Sequence, residues 1–290
     1  MTAGLPLALA ATLLAAGAAA AQQLVDVPSL DRVDGQALQL PGIWFAAAAA
    51  SAPAPAVVLL HGCGGPYDAR GRLNERLRAT AARLNGLGVG SLVVDSLMPR
   101  GEKELCTQRV GTRAVTLTHR RRDALGALAW LAAQPGVDPA RLGVIGWSNG
   151  ASTVLASTNR RHPDVSANAA QPVLAVALYP GCEIDLKSGY EAVAPLLLLV
   201  GEADDWTPAA PCKALAAQAA AGPGPAPQFE SYAGAYHGFD AGGAVRLRKD
   251  VPNGVHPGQG VHVGGDPAAR TASAQRIDAF VRDRFGLRNR

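Results

Sequence analysis

Short, wholly apolar runs separated by amphipathic stretches set the rhythm of this 290-residue chain. Ala56-Val57-Val58-Leu59-Leu60 has no polar position, as expected of a strand buried on both faces of a sheet. Leu38 to Phe45, Ser91 to Asp95, Leu142 to Gly146, Val173 to Tyr179, Leu196 to Val200 and Gln228 to Tyr232 supply the other predicted strands. Between them the period changes to that of a helix. Gly71 to Leu87 puts Leu73, Leu77, Ala81 and Leu84 on one face, and Thr112 to Gln134 is a longer amphipathic stretch that Pro135-Gly136 stops. Further helices are predicted from the segment after Gly150 to about Ser157, over Pro208–Ala221 and over Thr271–Phe285. Ala46–Ala56 reads as a flexible turn, and the Gly-rich stretch Ala241–Asp266 as a long loop. This alternation implies an α/β fold: a mostly parallel central sheet, helices on both faces, and ligands at the carboxyl ends of the strands.

Composition narrows the class. With 48% hydrophobic and 17% charged residues the chain is globular rather than disordered. The net charge of +4 comes from dispersed basic residues. The only basic run of three, Arg120-Arg121-Arg122, reads as the solvated face of a helix. Neither a basic stripe nor interleaved aromatics appear, which speaks against a nucleic-acid partner.

Residues Met1 to Ala21 carry no charged side chain, and an apolar stretch from Leu5 to Ala16 leads into Ala18-Ala19-Ala20-Ala21. Small residues thus stand where a signal peptidase reads, although the amino-terminal region lacks Lys or Arg. Residues 1–21 are expected to be a signal peptide, cleaved near Ala21-Gln22, with 22–290 forming a single domain. No later segment reaches bilayer-spanning length without Gly, Pro or charge, so no stable membrane span is expected after cleavage. Export to the periplasm or the medium makes Cys63, Cys106, Cys182 and Cys212 candidates for two disulfides. Cys63–Cys106 and Cys182–Cys212 are favoured, because each pair would tie loops at the same end of the sheet.

The most specific chemistry lies in Gly146-Trp147-Ser148-Asn149-Gly150, a G-x-S-x-G between a predicted strand and helix. So tight a turn strains the backbone at Ser148, and side chains at Gly146 or Gly150 would collide with neighbouring chain. A serine hydroxyl needs a base to take its proton and a third group to orient that base. Elbows of this kind carry the partners in the order serine, acid, histidine. His237 follows the last predicted strand and so shares a sheet end with Ser148; His256 and His262 lie deep in the Gly-rich loop, as surface histidines do. The acid should follow Leu196–Val200. Asp204 fits best there, Asp205 is close, and Glu202 is a solvated alternative. The oxyanion of an acyl-transfer intermediate needs two N–H donors. Asn149, after the nucleophile, supplies one; Cys63, in His61-Gly62-Cys63-Gly64, supplies the other. Cys63 as nucleophile is disfavoured, since an exported thiol tends to be paired. His256 and His262 lack clustered Cys or carboxylates, so no metal site is expected, and the chemistry needs no cofactor.

With these residues in place the chain resembles the dienelactone hydrolase family of α/β-hydrolases. The matching segments are His61-Gly62-Cys63-Gly64-Gly65, Asp95-Ser96 through Pro99-Arg100-Gly101, Val137 through Ser148, Gly201–Pro208 and Tyr236-His237-Gly238-Phe239. The resemblance implies an α/β-hydrolase fold and places Ser148, Asp204 and His237 at the catalytic positions, choosing Asp204 over Asp205. Founding members carry cysteine where this chain has Ser148 and glutamate where it has Gly62, which points away from dienelactone itself. About sixteen residues separate Tyr179 from Leu196, too few for the large cap domain of many α/β-hydrolases. Loops Ser96–Thr112 and Phe239–Asp266 should shape the site instead. Arg100 or Arg109 could meet an anionic substrate group, or pair with Glu102 or Glu104, and Trp147 is a further candidate substrate contact. The expectation is an exported serine hydrolase acting on small carboxylic esters or lactones through an acyl-enzyme. A prolyl-oligopeptidase-type peptidase and a non-catalytic exported binding protein are the alternatives.

Overall fold

A computed structural model describes residues 22–47 and 53–288. The expected signal peptide, and 48–52 of the predicted turn, lie outside the described residues. Eight strands form one sheet: β1 (Gln22–Val33), β2 (Gln36–Phe45), β3 (Ala54–Leu60), β4 (Gly90–Val94), β5 (Val137–Trp147), β6 (Leu174–Leu178), β7 (Leu196–Gly201) and β8 (Gln228–Tyr232). Their order is β1-β2-β4-β3-β5-β6-β7-β8. The pairs β1/β2 and β2/β4 are antiparallel and all the others parallel. The expected mostly parallel α/β-hydrolase sheet is present, and the described residues form no large cap domain.

Side chains on successive strand residues point to opposite faces, and the two cores divide accordingly. Ala56, Val58 and Leu60 of β3 join one cluster, while Val57 and Leu59 join the other. Leu196, Leu198 and Val200 of β7 likewise part from Leu197 and Leu199. The first cluster lies under α2 (Leu117–Ala132), α3 (Asn149–Thr158) and α6 (Ala209–Ala220); the second lies under α1 (Glu75–Gly86) and α7 (Pro267–Phe285). Two short helices, α4 (Pro163–Ala167) and α5 (Glu183–Ser188), connect β6 to its neighbours.

Helix starts follow caps rather than periodicity. Asn74 Oδ1 accepts from the Leu77 N–H, Thr116 forms a capping box with His119, and Asp266 accepts from the Ala269 N–H with Pro267 opening the helix. These caps move the three starts to residues 75, 117 and 267, from the expected 71, 112 and 271.

Three sequence expectations are corrected here. Gln22–Val33, not anticipated as a strand, pairs with β2 through a two-residue turn in which Asp34 (φ 51°) and Gly35 (φ 78°) both have positive φ. The Gly-rich loop contains a small hairpin of β9 (Arg246–Arg248) and β10 (Val261–Val263). The arginine run is not a solvated face. Arg120 is buried, Arg121 pairs with Asp164 at 3.0 Å, and Arg122 pairs with Asp31 at 2.8 Å. Helix α2 is sandwiched between β1 and α3, so even its polar side meets protein, and each guanidinium must find an oxygen.

Candidate active site

Strand β3 is followed in sequence by β4 on one side of it in the sheet, and by β5 on the other. Such a reversal of direction leaves a crevice beyond the strand ends, where ligands bind in open α/β sheets. Leu60 of β3 is paired with Gly146 of β5, so the loop after β3 and the elbow after β5 emerge side by side.

At the elbow Ser148 has φ 55° and ψ −120°, a sparsely populated conformation that costs about 1–3 kcal/mol and is held by its surroundings. A Cβ on Gly146 would stand 2.3 Å from the Gly150 carbonyl oxygen, and one on Gly150 would stand 2.1 Å from that of Leu60. Both glycines are therefore required by close approach of backbone. Strand and helix meet at an angle that no side chain could share.

Three loops bring their polar groups to this point. His237 Nε2 lies 2.9 Å from Ser148 Oγ, and His237 Nδ1 lies 2.8 Å from Asp204 Oδ2. Asp204 Oδ1 accepts the N–H groups of Trp206 and Thr207, both at 2.8 Å, and Thr207 Oγ1 stands 3.1 Å from Oδ2. The carboxylate thus has partners on both oxygens and is almost wholly buried, as is His237. The Trp206 ring lies 4.6 Å from the imidazole and covers it from water. Asp205, the near alternative, turns the other way: its carboxylate accepts from the His262 N–H at 2.8 Å and meets Nδ1 at 2.6 Å. It braces the Gly-rich loop. That loop returns to His237, since the Gly264 N–H donates to the His237 carbonyl at 3.1 Å. His256 is exposed, and Glu202 accepts from Ser231 Oγ at the surface.

The loop after β3 packs directly on Ser148. A Cβ on Gly62 would lie 3.6 Å from Ser148 Cβ. Burial, reinforced by the charge of Arg120, holds the pKa of His61 well below the usual imidazole range, so its ring is neutral. Its Nε2 faces the Ser96 N–H at 3.4 Å, which leaves the proton on Nδ1 to donate to the Gly62 carbonyl at 2.7 Å. That carbonyl belongs to the same planar trans peptide as the Cys63 N–H, which therefore points the opposite way. Asn149 opens α3, where an N–H has no partner four residues back within the helix.

Cys63 is joined to Cys106, and Cys182 to Cys212. No cysteine is free, so Cys63 is not a thiolate. Cys63, Ser148 and Asn149 all line one cavity of about 750 Å³, the size of a site for a small organic molecule. The wall combines Val110, Val115 and Leu117 with Trp206 and Val255. Asn253 bridges the two expected loops, accepting from the Val110 N–H and donating to the Gln108 carbonyl, each at 2.9 Å. The segment Gly181–Asp185, which sequence did not nominate, also lines it.

Two nominated substrate contacts are placed elsewhere. Arg100 does not line the cavity: its guanidinium makes two 2.8 Å bonds to Asp123 and one to Asp31, not to Glu102 or Glu104. Carboxylates on β1 and α2 thus occupy its guanidinium. Trp147 is buried under the sheet end, and its indole N–H donates to Asp240 at 2.8 Å. Asp240 itself was missed. It also accepts from Tyr179 Oη at 2.6 Å and ion-pairs with Arg76 at 3.0 Å, anchoring the loop that carries His237. Thr207, whose Oγ1 stands 3.1 Å from both Asp204 Oδ2 and His237 Nδ1, was not nominated either. Among the described residues no group of three His, Cys, Asp or Glu is arranged to hold a metal ion.

The sheet, the elbow and the strand-end loops define an α/β-hydrolase. The chain belongs to the dienelactone hydrolase family, whose model matches residues 43–276, and it is a hydrolase acting on ester bonds. Among solved structures, Thermogutta terrifontis esterase 2 phosphorylated by paraoxon is 17% identical with a TM-score of 0.65, over 93% of this chain and 96% of that one. A dienelactone hydrolase-like promiscuous phosphotriesterase from metagenomic libraries is 20% identical with a TM-score of 0.62, over 91% and 98%. Porphyromonas gingivalis dipeptidyl peptidase 4 is 17% identical with a TM-score of 0.61, covering 90% of this chain but 35% of the peptidase. At these identities the likeness is one of fold. No curated protein matches the chain.

Proposed function

We propose that the protein is an exported serine hydrolase that cleaves small carboxylic esters or lactones through an acyl-enzyme. The observation that carries this reading is the unbroken relay from Ser148 through His237 to Asp204, with distances of 2.9 and 2.8 Å, at the wall of a cavity. Ser148 Oγ attacks the carbonyl carbon as His237 Nε2 takes its proton, and Asp204 keeps the other ring proton on Nδ1 and stabilises the imidazolium. The Cys63 and Asn149 N–H groups receive the developing oxyanion. His237 then returns the proton to the leaving alcohol, and water, activated by the same ring, releases the acid. Serine needs this relay because its hydroxyl is scarcely ionised at neutral pH.

Removal of residues 1–21 and export of a single domain, 22–290, belong to the same proposal. Two disulfides support it. Among the described residues no helix is long and apolar enough to cross a membrane. The peptidase alternative draws on the shared fold alone, and that shared part is a minority of the dipeptidyl peptidase chain. Turnover of short p-nitrophenyl esters without release of amine from dipeptide amides is the expected result. Amine release without ester turnover would favour the peptidase. A protein that does neither, and whose Ser148 takes no fluorophosphonate, would be a binding protein.

A further inference from the structure

Arg120 is the buried charge that the mechanism above leaves unused. It is 1% exposed, and among the described residues no carboxylate forms an ion pair with it, whereas its neighbours Arg121 and Arg122 both have one. The carboxylates of Asp123 and Asp95 act on it only from beyond ion-pair distance, burial of a guanidinium with no direct partner is costly, and its Nε lacks even a hydrogen-bond acceptor. What the side chain does bind are two uncharged oxygens on the two loops that meet at Ser148. Nη1 donates to Asn149 Oδ1 at 2.5 Å and Nη2 to the His61 carbonyl at 2.7 Å.

We propose that Arg120 is a positioning residue that sets the oxyanion hole, by clamping the loop after β3 to the first residue of α3. One arm of the fork holds Asn149, whose own N–H is one donor. The other holds His61, whose ring in turn grips the Gly62 carbonyl and so aims the Cys63 N–H. A single planar group spans both donors, and a lysine, with one nitrogen on a flexible stem, could not reach both acceptors in a fixed geometry. Burial lowers the guanidinium pKa to about 10, so it stays charged at neutral pH, and its field helps keep His61 neutral with the proton on Nδ1. A positioning role of this kind acts on the transition state and hardly on ground-state binding.

The inference rests on the assignment of Ser148 as nucleophile and of these two amides as donors. Its test is a comparison of wild type with Arg120→Met, Arg120→Lys and Asn149→Ala, each checked for folding by circular dichroism and thermal melting. For p-nitrophenyl butyrate, Arg120→Met should lower kcat by about 10²-fold, with KM within about threefold of wild type. Binding of a trifluoromethyl ketone, whose adduct carries the oxyanion, should weaken in parallel, while inhibition by the product butyrate stays unchanged. Arg120→Lys should fall between Arg120→Met and wild type, and Asn149→Ala should lose about 10-fold in kcat. A folded Arg120→Met with wild-type kcat, or one whose loss lies in KM with ketone binding intact, would overturn the proposal. Should Arg120→Met not fold, Asn149→Ala decides, and wild-type kcat there overturns it equally. Failure of wild type to label at Ser148 with a fluorophosphonate would instead remove the underlying assignment. Normal labelling with unaffected variants removes the clamp alone.

Discussion

Asp204 and His237 meet at 2.8 Å, but the carboxylate reaches that position already committed on its other side. Its Oδ1 accepts the N–H groups of Trp206 and Thr207, so its orientation is fixed before the imidazole arrives. This decides what an isosteric swap does. In Asp204→Asn the amide oxygen must stay with the two backbone donors, and the NH₂ then faces His237 Nδ1. That pins the ring proton on Nε2, where the base needs a lone pair for Ser148. Steady-state kinetics on p-nitrophenyl esters should show kcat down by about 10⁴-fold with the fold retained. Activity within tenfold of wild type would contradict it.

Asp240 should behave as a support of the base rather than as a reactant. Asp240→Ala strands the Trp147 N–H, the Tyr179 hydroxyl and the Arg76 guanidinium together. Urea unfolding should show a loss of about 2–4 kcal/mol, since orphaned buried donors cost about 1–3 kcal/mol each and relaxation recovers part. In the same variant kcat should drop about 10-fold through a looser His237.

The two disulfides should separate in their effects. Cys63–Cys106 closes 43 residues and Cys182–Cys212 closes 30, so loop-closure entropy gives each roughly 4 kcal/mol. Double alanine variants should lower the melting temperature similarly. Only the Cys63/Cys106 pair should also lower kcat, because Cys63 bears a proposed oxyanion donor. Equal kcat losses in both would contradict this distinction.

Asp185 offers a test of the cavity's electrostatics. Burial raises its pKa from 3.8 to about 6 despite a hydrogen bond from Asn159. Because the folded state holds the proton to higher pH than the unfolded chain, stability falls as pH rises from about 4 to 6 and then levels off. The penalty above that window is about 3 kcal/mol. Asp185→Asn keeps the acceptor for Asn159 and removes the charge. It should raise the melting temperature at pH 7 and leave it nearly unchanged at pH 3.5; an unchanged value at pH 7 would refute this.

Much of this was legible because the elements that carry the chemistry are locally determined. Strands buried on both faces cannot tolerate polar residues, so β3, β7 and residues 142–147 of β5 stand out as apolar runs, and the candidate residues Cys63, Asp204 and Ser148 follow at their ends. Gly146 and Gly150 announce a turn that only glycine permits. What escaped was decided by partners distant in sequence. The Asp34-Gly35 turn is a strong hairpin signal, yet β1 mixes polar residues with Pro28 and its weak alternation hides it. Arg120, Arg121 and Arg122 look like a wet helix face until β1 and α3 cover them. Arg100 looked free for a substrate because nothing local shows Asp31 and Asp123 closing on it. Trp147 stands beside Ser148 in sequence, but alternation along β5 turns it to the opposite side of the sheet, toward Asp240.

The most direct test of the central claim is active-site labelling. Wild-type protein treated with a fluorophosphonate and digested should carry one adduct, on the peptide containing Ser148, with p-nitrophenyl ester turnover lost in proportion. Ser148→Ala should take no label and retain no turnover above that of the unfolded protein. An adduct elsewhere, or a Ser148→Ala variant with wild-type kcat, would contradict the account.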